Sequence, residues 1–131
     1  MMQMSLWHWA VIGFGGSLGA MARFGVVSWL NRLHGSAFPW GTFAVNVLGS
    51  FIMGLAFVLF TIKYPQVPGS LRSFILVGFL GAFTTFSSFS LELLSLFQQH
   101  FISIALTYAL ASVLICLVAV TAGYATGRFI F

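Results

Sequence analysis

Acidic side chains are nearly missing from this chain. Its 131 residues include one, Glu92, against five Lys and Arg. Acid–base chemistry that needs two carboxylates therefore has no second member. Cys116 is the only cysteine, so it can form no intrachain disulfide and has no partner for a metal site. His8, His34 and His100 are dispersed, and with no His, Cys or carboxylate cluster neither a transition-metal site nor hydrolytic chemistry is indicated. Charge of either sign is scarce: 5% of residues are charged, where soluble domains carry about 25%. The excess of +4 comes from cations placed singly, which excludes the clustered basic face of a nucleic-acid binder. Gly13 to Gly16 is glycine-rich, but it lacks the following Lys and preceding strand of a phosphate loop.

What is present is apolar: 60% of the residues are hydrophobic and the mean hydropathy is +1.08. Little polar surface remains to cover a core in water, so lipid is the solvent this composition fits. Uncharged runs extend from Met1 to Ala22, Gly41 to Ile62, Ser73 to Leu91 and Leu93 to Gly127. About 20 apolar residues cross a bilayer. The last run exceeds one span, and its polar patch Gln98, Gln99, His100 reads as a tight turn. The spacing predicts an all-α integral membrane protein with one domain over residues 1–131. Its four helices are expected at Leu6–Leu30, Trp40–Ile62, Ser70–Phe97 and Phe101–Arg128. Gly35, Pro39, Pro65, Pro68 and Gly69 mark the first two loops. No Lys or Arg precedes the first run, so it reads as a retained span rather than a signal peptide. Four spans put Lys63, Arg72 and Arg128 on one side, and Arg32, with Arg23, on the other. That is a weak orientation bias. It leaves both a single topology and insertion in two orientations open.

Polar groups inside a bilayer are costly and therefore candidates for function. Thr42, Asn46 and Ser50 follow one another at intervals of four in the second helix, as do Tyr108, Ser112 and Cys116 in the fourth, so each row shares a helix face. The rows could line a narrow wet path. Alternatively, Asn46 could serve as an interhelical bond and the hydroxyls could bond their own helix carbonyls. Gly15 with Gly19, and Ala119, Gly123 and Gly127, have the small-xxx-small spacing that lets backbones approach, within one chain or between two. The third helix carries the most unusual stretch, Gly78 to Ser90, with two glycines followed by five hydroxyl residues among seven. This is poor helix sequence, and it predicts a helix broken mid-membrane, tolerated only where backbone meets protein, water or an ion. Phe86 and Phe89 share a face there, and the positive edge of an aromatic ring attracts an anion weakly. Glu92, near the end of that helix, is expected to meet interfacial water or a basic partner.

Three motifs make the chain resemble the Fluc (CrcB) family of bacterial fluoride channels over essentially its whole length. They are Gly15-Gly16-x-x-Gly19 with Arg23, Gly41-Thr42-x-x-x-Asn46, and Thr84-Thr85-Phe86-Ser87-Ser88-Phe89-Ser90-x-Glu92. The resemblance implies an antiparallel, dual-topology homodimer with two fluoride pores in a bacterial inner membrane, and no enzymatic activity. Phe86 and Phe89 would match the paired pore phenylalanines, Asn46 the pore asparagine, and Arg23 the vestibule arginine. Tyr108 and Ser112 would match the polar track of the fourth helix, while Thr42, Ser87 and Ser90 add hydroxyls to the path. The backbone carbonyls of Gly81 and Thr84, from both subunits, would hold one structural Na+ that is not transported. Fluoride and membrane lipid are the other expected partners, and nucleic acid is not.

Three positions depart from the family pattern. Ala82 stands for a second glycine and is expected to shift the break, Ser88 stands for a threonine, and Cys116 stands for a serine that would extend the polar track. Two rival readings accompany the channel. A small multidrug-type antiporter would need an embedded carboxylate, and only Glu92 is available. An assembly subunit would carry no flux of its own.

Overall fold

The computed structural model describes residues 5–131; Met1 to Met4, the start of the first uncharged run, lie outside the described residues. Among the described residues, four helices are long and apolar enough to cross a membrane: Leu6–Leu33, Trp40–Lys63, Gly69–Gln98 and Ile102–Ile130. Each runs one to three residues past the expected span at one or both ends, because helix termini continue through the interfacial residues beyond the apolar run; the fourth starts one residue later than expected, with Phe101 preceding its first turn.

The first span is one helix, α1 (Leu6–Leu33), opened by Ser5, whose hydroxyl accepts from the His8 N–H. The second is α2 (Trp40–Phe57), which widens into a π-helical end at Val58–Lys63. Its start is tied to α1, because Asn31 Oδ1 accepts from the Gly41 N–H at 3.1 Å. The third span is composite. It starts as α3 (Gly69–Arg72), runs as a π-helix over Ser73–Leu80 and closes as α4 (Gly81–Phe83). Thr84 and Thr85 are extended, with ψ of 156° and 124°, and α5 (Phe86–Gln98) follows. Ala82 is helical, and the extended residues come after Phe83. Gln99 and His100 make the turn into α6 (Ile102–Ile130). His100 adopts the left-handed conformation with φ 64°, which His tolerates better than bulkier residues.

Packing joins alternate spans. The most extensive contact lies between α2 and α6, and the next between α1 and the π-helical part of the third span. Glycines make both seams possible. A Cβ on Gly15 would stand 2.5 Å from the Phe74 carbonyl oxygen, and one on Gly78 would stand 2.7 Å from that of Ile12. Gly19 is closed in the same way by the Phe79 carbonyl, Gly54 by that of Val120, and Gly123 by that of Phe51. The small-residue spacings seen in the sequence are thus used within one chain. Around the seams Leu80, Val45, Val58 and Ala105 are buried. Phe24, Leu106, Val118 and many other large apolar side chains point outward, as expected of a surface solvated by lipid. Ser17 and Thr121 bond their own helix carbonyls at 2.9 and 2.8 Å.

Candidate functional site

The two polar rows meet where the third span opens. Asn46, from the middle of α2, reaches the extended pair and bonds it twice. Its Nδ2 donates to the Thr85 carbonyl at 2.9 Å, and its Oδ1 accepts from the Thr85 N–H at 2.7 Å. In an uninterrupted helix the Thr85 N–H would close on the Gly81 carbonyl four residues back. Asn46 takes that donor, so the helical partner of Gly81 O is lost to a side chain. The Thr85 hydroxyl then accepts from the Ser88 N–H at 3.1 Å and caps α5. Thr84 keeps its hydroxyl on the Leu80 carbonyl at 3.0 Å.

On one side of this bridge lies a cavity of about 240 Å³ whose wall includes Asn46, Ser50, Phe86, Phe89, Ser112 and Cys116. The Phe86 and Phe89 rings are 5.4 Å apart and inclined at 47°. They differ in environment: Phe89 is buried, whereas Phe86 is 75% exposed on the outer face of the chain. Ser112 is 6% exposed, and its hydroxyl has no hydrogen-bond partner. One of the two Asn46 N–H donors is engaged by Thr85, which leaves the second.

A second cavity, of about 330 Å³, lies beside Thr85 and brings together Arg23, Ser28, Thr42, Ser88 and Glu92. Glu92 is held by two hydroxyls, partners the sequence did not indicate. Thr42 Oγ1 and the Tyr108 hydroxyl each donate to it at 2.7 Å. Both donors are almost completely buried. These are charge-assisted bonds, the strong class. Tyr108 is also packed edge-on between Phe38 and Phe89, with ring centroids 5.3 and 5.0 Å away. Removing its hydroxyl in Tyr108→Phe leaves one Glu92 oxygen unsatisfied while the ring stays in place. A loss of about 1.5–3 kcal/mol is expected, the range for a hydrogen bond to a charged group, measured as a lower thermal midpoint in detergent.

The structure therefore gathers Asn46, Phe86, Phe89 and Ser112 in one cavity, and Arg23 and Thr42 in its neighbour. Tyr108 lines neither of these two cavities, and its hydroxyl is bonded to Glu92. Ser87 and Ser90 are exposed. Ser87 lies 3.3 Å from the Thr85 hydroxyl, and Ser90 donates to the Phe86 carbonyl of its own helix at 2.9 Å. Gly81 is exposed and Thr84 half-buried. Sequence reasoning missed Thr85, which borders both cavities and is bonded to Asn46. The tandem Thr84-Thr85 between a glycine pair and a Ser-rich helix start was the available signal. Ser50, in the same row as Asn46, lines the first cavity with it.

Comparisons with known proteins show what the chain as a whole is similar to. A family model described as "CrcB-like protein, Camphor Resistance (CrcB)" matches residues 10–124. The chain is 51% identical over 127 residues to a "Fluoride-specific ion channel FluC" of Hahella chejuensis, an alignment covering 97% of this chain and 99% of the relative. It is 52% identical over 125 residues to the protein of the same name from Magnetococcus marinus, covering 92% and 98%. With the one from Agrobacterium fabrum it shares 43% over 122 residues, covering 93% and 97%. With four apolar spans and a family match that runs through all of them, this multi-pass membrane protein belongs to the CrcB-like family.

Proposed function

We propose that this protein is a fluoride-selective channel that lets fluoride leave the bacterial cytoplasm down its electrochemical gradient. The observation that carries the reading is the cavity joining Asn46, Phe86, Phe89 and Ser112, in a chain half identical over nearly its full length to proteins named as fluoride channels. A small, strongly hydrated anion gives up water only where donors replace it. The second N–H of Asn46 and the unpartnered Ser112 hydroxyl are such donors. Phe86 and Phe89 offer ring edges, weak enough to release the ion again. Hydrogen fluoride crosses membranes uncharged and ionises at cytoplasmic pH, so the anion accumulates inside. A negative interior drives its exit with ~2.3 kcal/mol per charge per 100 mV, and no other energy source is required.

The working unit in this reading is an antiparallel, dual-topology homodimer in the inner membrane. Phe86 faces away from its own protomer, so a second copy would complete the wall around it. The interruption at Thr84 and Thr85 lies at mid-membrane depth, with the Gly81 and Thr84 carbonyls available to a structural Na+. Gly81 suits that role because its helical donor is taken by Asn46 and the residue is exposed. Four oxygens, two from each chain, require two-fold related subunits. The antiporter reading finds no support: the relatives are named as channels, and both oxygens of the one acid accept from buried hydroxyls.

The test is reconstitution of purified protein in KF-loaded liposomes, with valinomycin carrying the counter-ion and a fluoride electrode following release. Fast fluoride release without matching chloride release is expected. Phe86→Ile should cut that flux at least roughly tenfold, the worth of ~1.4 kcal/mol in barrier, with the dimer still folded. Silence from folded, dimeric wild-type protein would overturn the channel reading in favour of an assembly subunit.

A further inference from the structure

We propose that Phe38, in the turn between α1 and α2, is a positioning residue for the fluoride cavity: it fixes the ring of Tyr108 and, through it, the ring of Phe89. The turn is exposed from Asn31 to Ala37, and at Phe38 it dips back toward the protein. The backbone is set there, because the Phe38 carbonyl accepts from the Trp40 N–H at 2.9 Å and the Asn31 bond to Gly41 closes the turn. The Phe38 ring meets Tyr108 edge-on, with centroids 5.3 Å apart and planes at 71°. Tyr108 meets Phe89 in the same manner at 5.0 Å and 63°, and Phe89 lies 5.4 Å from Phe86. Trp40 adds a ring 4.5 Å from Phe38. A continuous series of rings thus runs from the turn to the wall of the cavity that holds Asn46.

Tyr108 is the member that needs support. It is fully buried, and its hydroxyl donates to Glu92. That bond fixes the tip of the side chain, while the ring plane is set by packing. Of the two rings against it, Phe89 belongs to the cavity wall and Phe38 comes from outside it. Phe38 also shares with Glu92 a polar cavity of about 340 Å³ beside the turn, lined as well by Asn31, Ser95 and Gln99. Without the Phe38 ring, this space opens toward Tyr108. Water can then compete for the Glu92 carboxylate, Tyr108 can swing, and Phe89 loses the ring behind it. The attraction of an anion to a ring edge is directional, and a site keeps its geometry only where packing locks the side chains that form it. The effect on fluoride rests on the channel reading; the placement of the rings does not.

The test labels the intact purified protein with fluorotyrosine. Its three tyrosines, Tyr64, Tyr108 and Tyr124, give three fluorine NMR signals, and Tyr108→Phe assigns one of them. In Phe38→Ala the Tyr108 signal should move or split while the other two stay. Fluoride release from liposomes should fall roughly threefold to tenfold, the rate equivalent of one aromatic pair. Phe38→Leu fills most of the space without a ring edge and should change both readouts in the same direction. Phe38→Tyr keeps the ring and can turn its hydroxyl into the polar cavity, so both readouts should match wild type. An unmoved Tyr108 signal in Phe38→Ala and Phe38→Leu would overturn the placement. Movement of all three signals would overturn it too, since that is general loosening. A moved Tyr108 signal with unchanged release, or slow release from Phe38→Tyr, would overturn the role in conduction. Wild-type protein that releases no fluoride would refute the channel reading, while the fluorine signals still decide whether Phe38 fixes Tyr108.

Discussion

Replacing Asn46 with leucine should abolish measurable fluoride release and loosen the third span together. Leucine keeps the branched shape but removes both halves of the amide bridge to Thr85. The part-buried Thr85 N–H and carbonyl then lose these partners. Each stranded group costs ~1–3 kcal/mol, so the extended pair loses what holds it open. The remaining Asn46 donor is lost from the cavity as well. Asn46→Asp separates these contributions. An aspartate oxygen can still accept from the Thr85 N–H, but nothing is left to donate to the Thr85 carbonyl, and a negative charge faces the cavity. The folded state should survive better than in Asn46→Leu, while fluoride release stays low. Thermal midpoints in detergent and electrode traces from liposomes check the two effects separately. Asn46→Leu protein that releases fluoride like wild type would remove Asn46 from the conduction path.

Gly123→Ala carries the second large effect. Its new methyl group would run into the Phe51 carbonyl, and the reciprocal approach of Gly54 to the Val120 carbonyl prevents α6 from sliding away along α2. The obstacle is backbone on both sides, so no side chain can rotate to make room. Overpacking ordinarily costs ~1–3 kcal/mol, and a rigid backbone seam should reach or exceed the upper end. The expected result is a variant that fails to give a monodisperse peak in detergent and is degraded rapidly by protease. Gly13→Ala is the control. Nothing lies within 4 Å of its new carbon, and alanine favours helix by up to about 1 kcal/mol over glycine. Its stability should be unchanged or higher. A stable, monodisperse Gly123→Ala protein would mean that the α2–α6 seam tolerates separation.

The spans were legible because hydropathy and breaker residues act locally: Pro39, Pro65, Pro68 and Gly69 punctuate runs that could only be helices in lipid. The polar rows were legible because a spacing of four fixes a face. The π-helical stretches at Val58–Lys63 and Ser73–Leu80 were not, since no side-chain pattern distinguishes a bond closed over five residues from one closed over four. Pairing was also hidden. The glycine spacings announced close approach, but the partner is chosen in three dimensions, by which carbonyl faces which missing side chain. Asn46 shows how the two open alternatives merge. It is an interhelical bond and a cavity wall at once, because its amide has more donors and acceptors than Thr85 uses. The partners of Glu92 were hidden for a related reason. Its position along the helix could not indicate Thr42 and Tyr108, 50 and 16 residues away.

The glycine seams also bear on how the protein is made. They join the first span to the third and the second to the fourth, so no helix finds its main partner in the next one to leave the ribosome. When α2 inserts, Gly54 faces lipid, and the segment that will cover it lies at the far end of the message. The first pair can zip once Gly78 and Phe79 are in the bilayer, while the second must wait for Val120 and Gly123. A chain stopped after α5 would hold one finished seam and one open groove, and would offer that groove to whatever helix passes by.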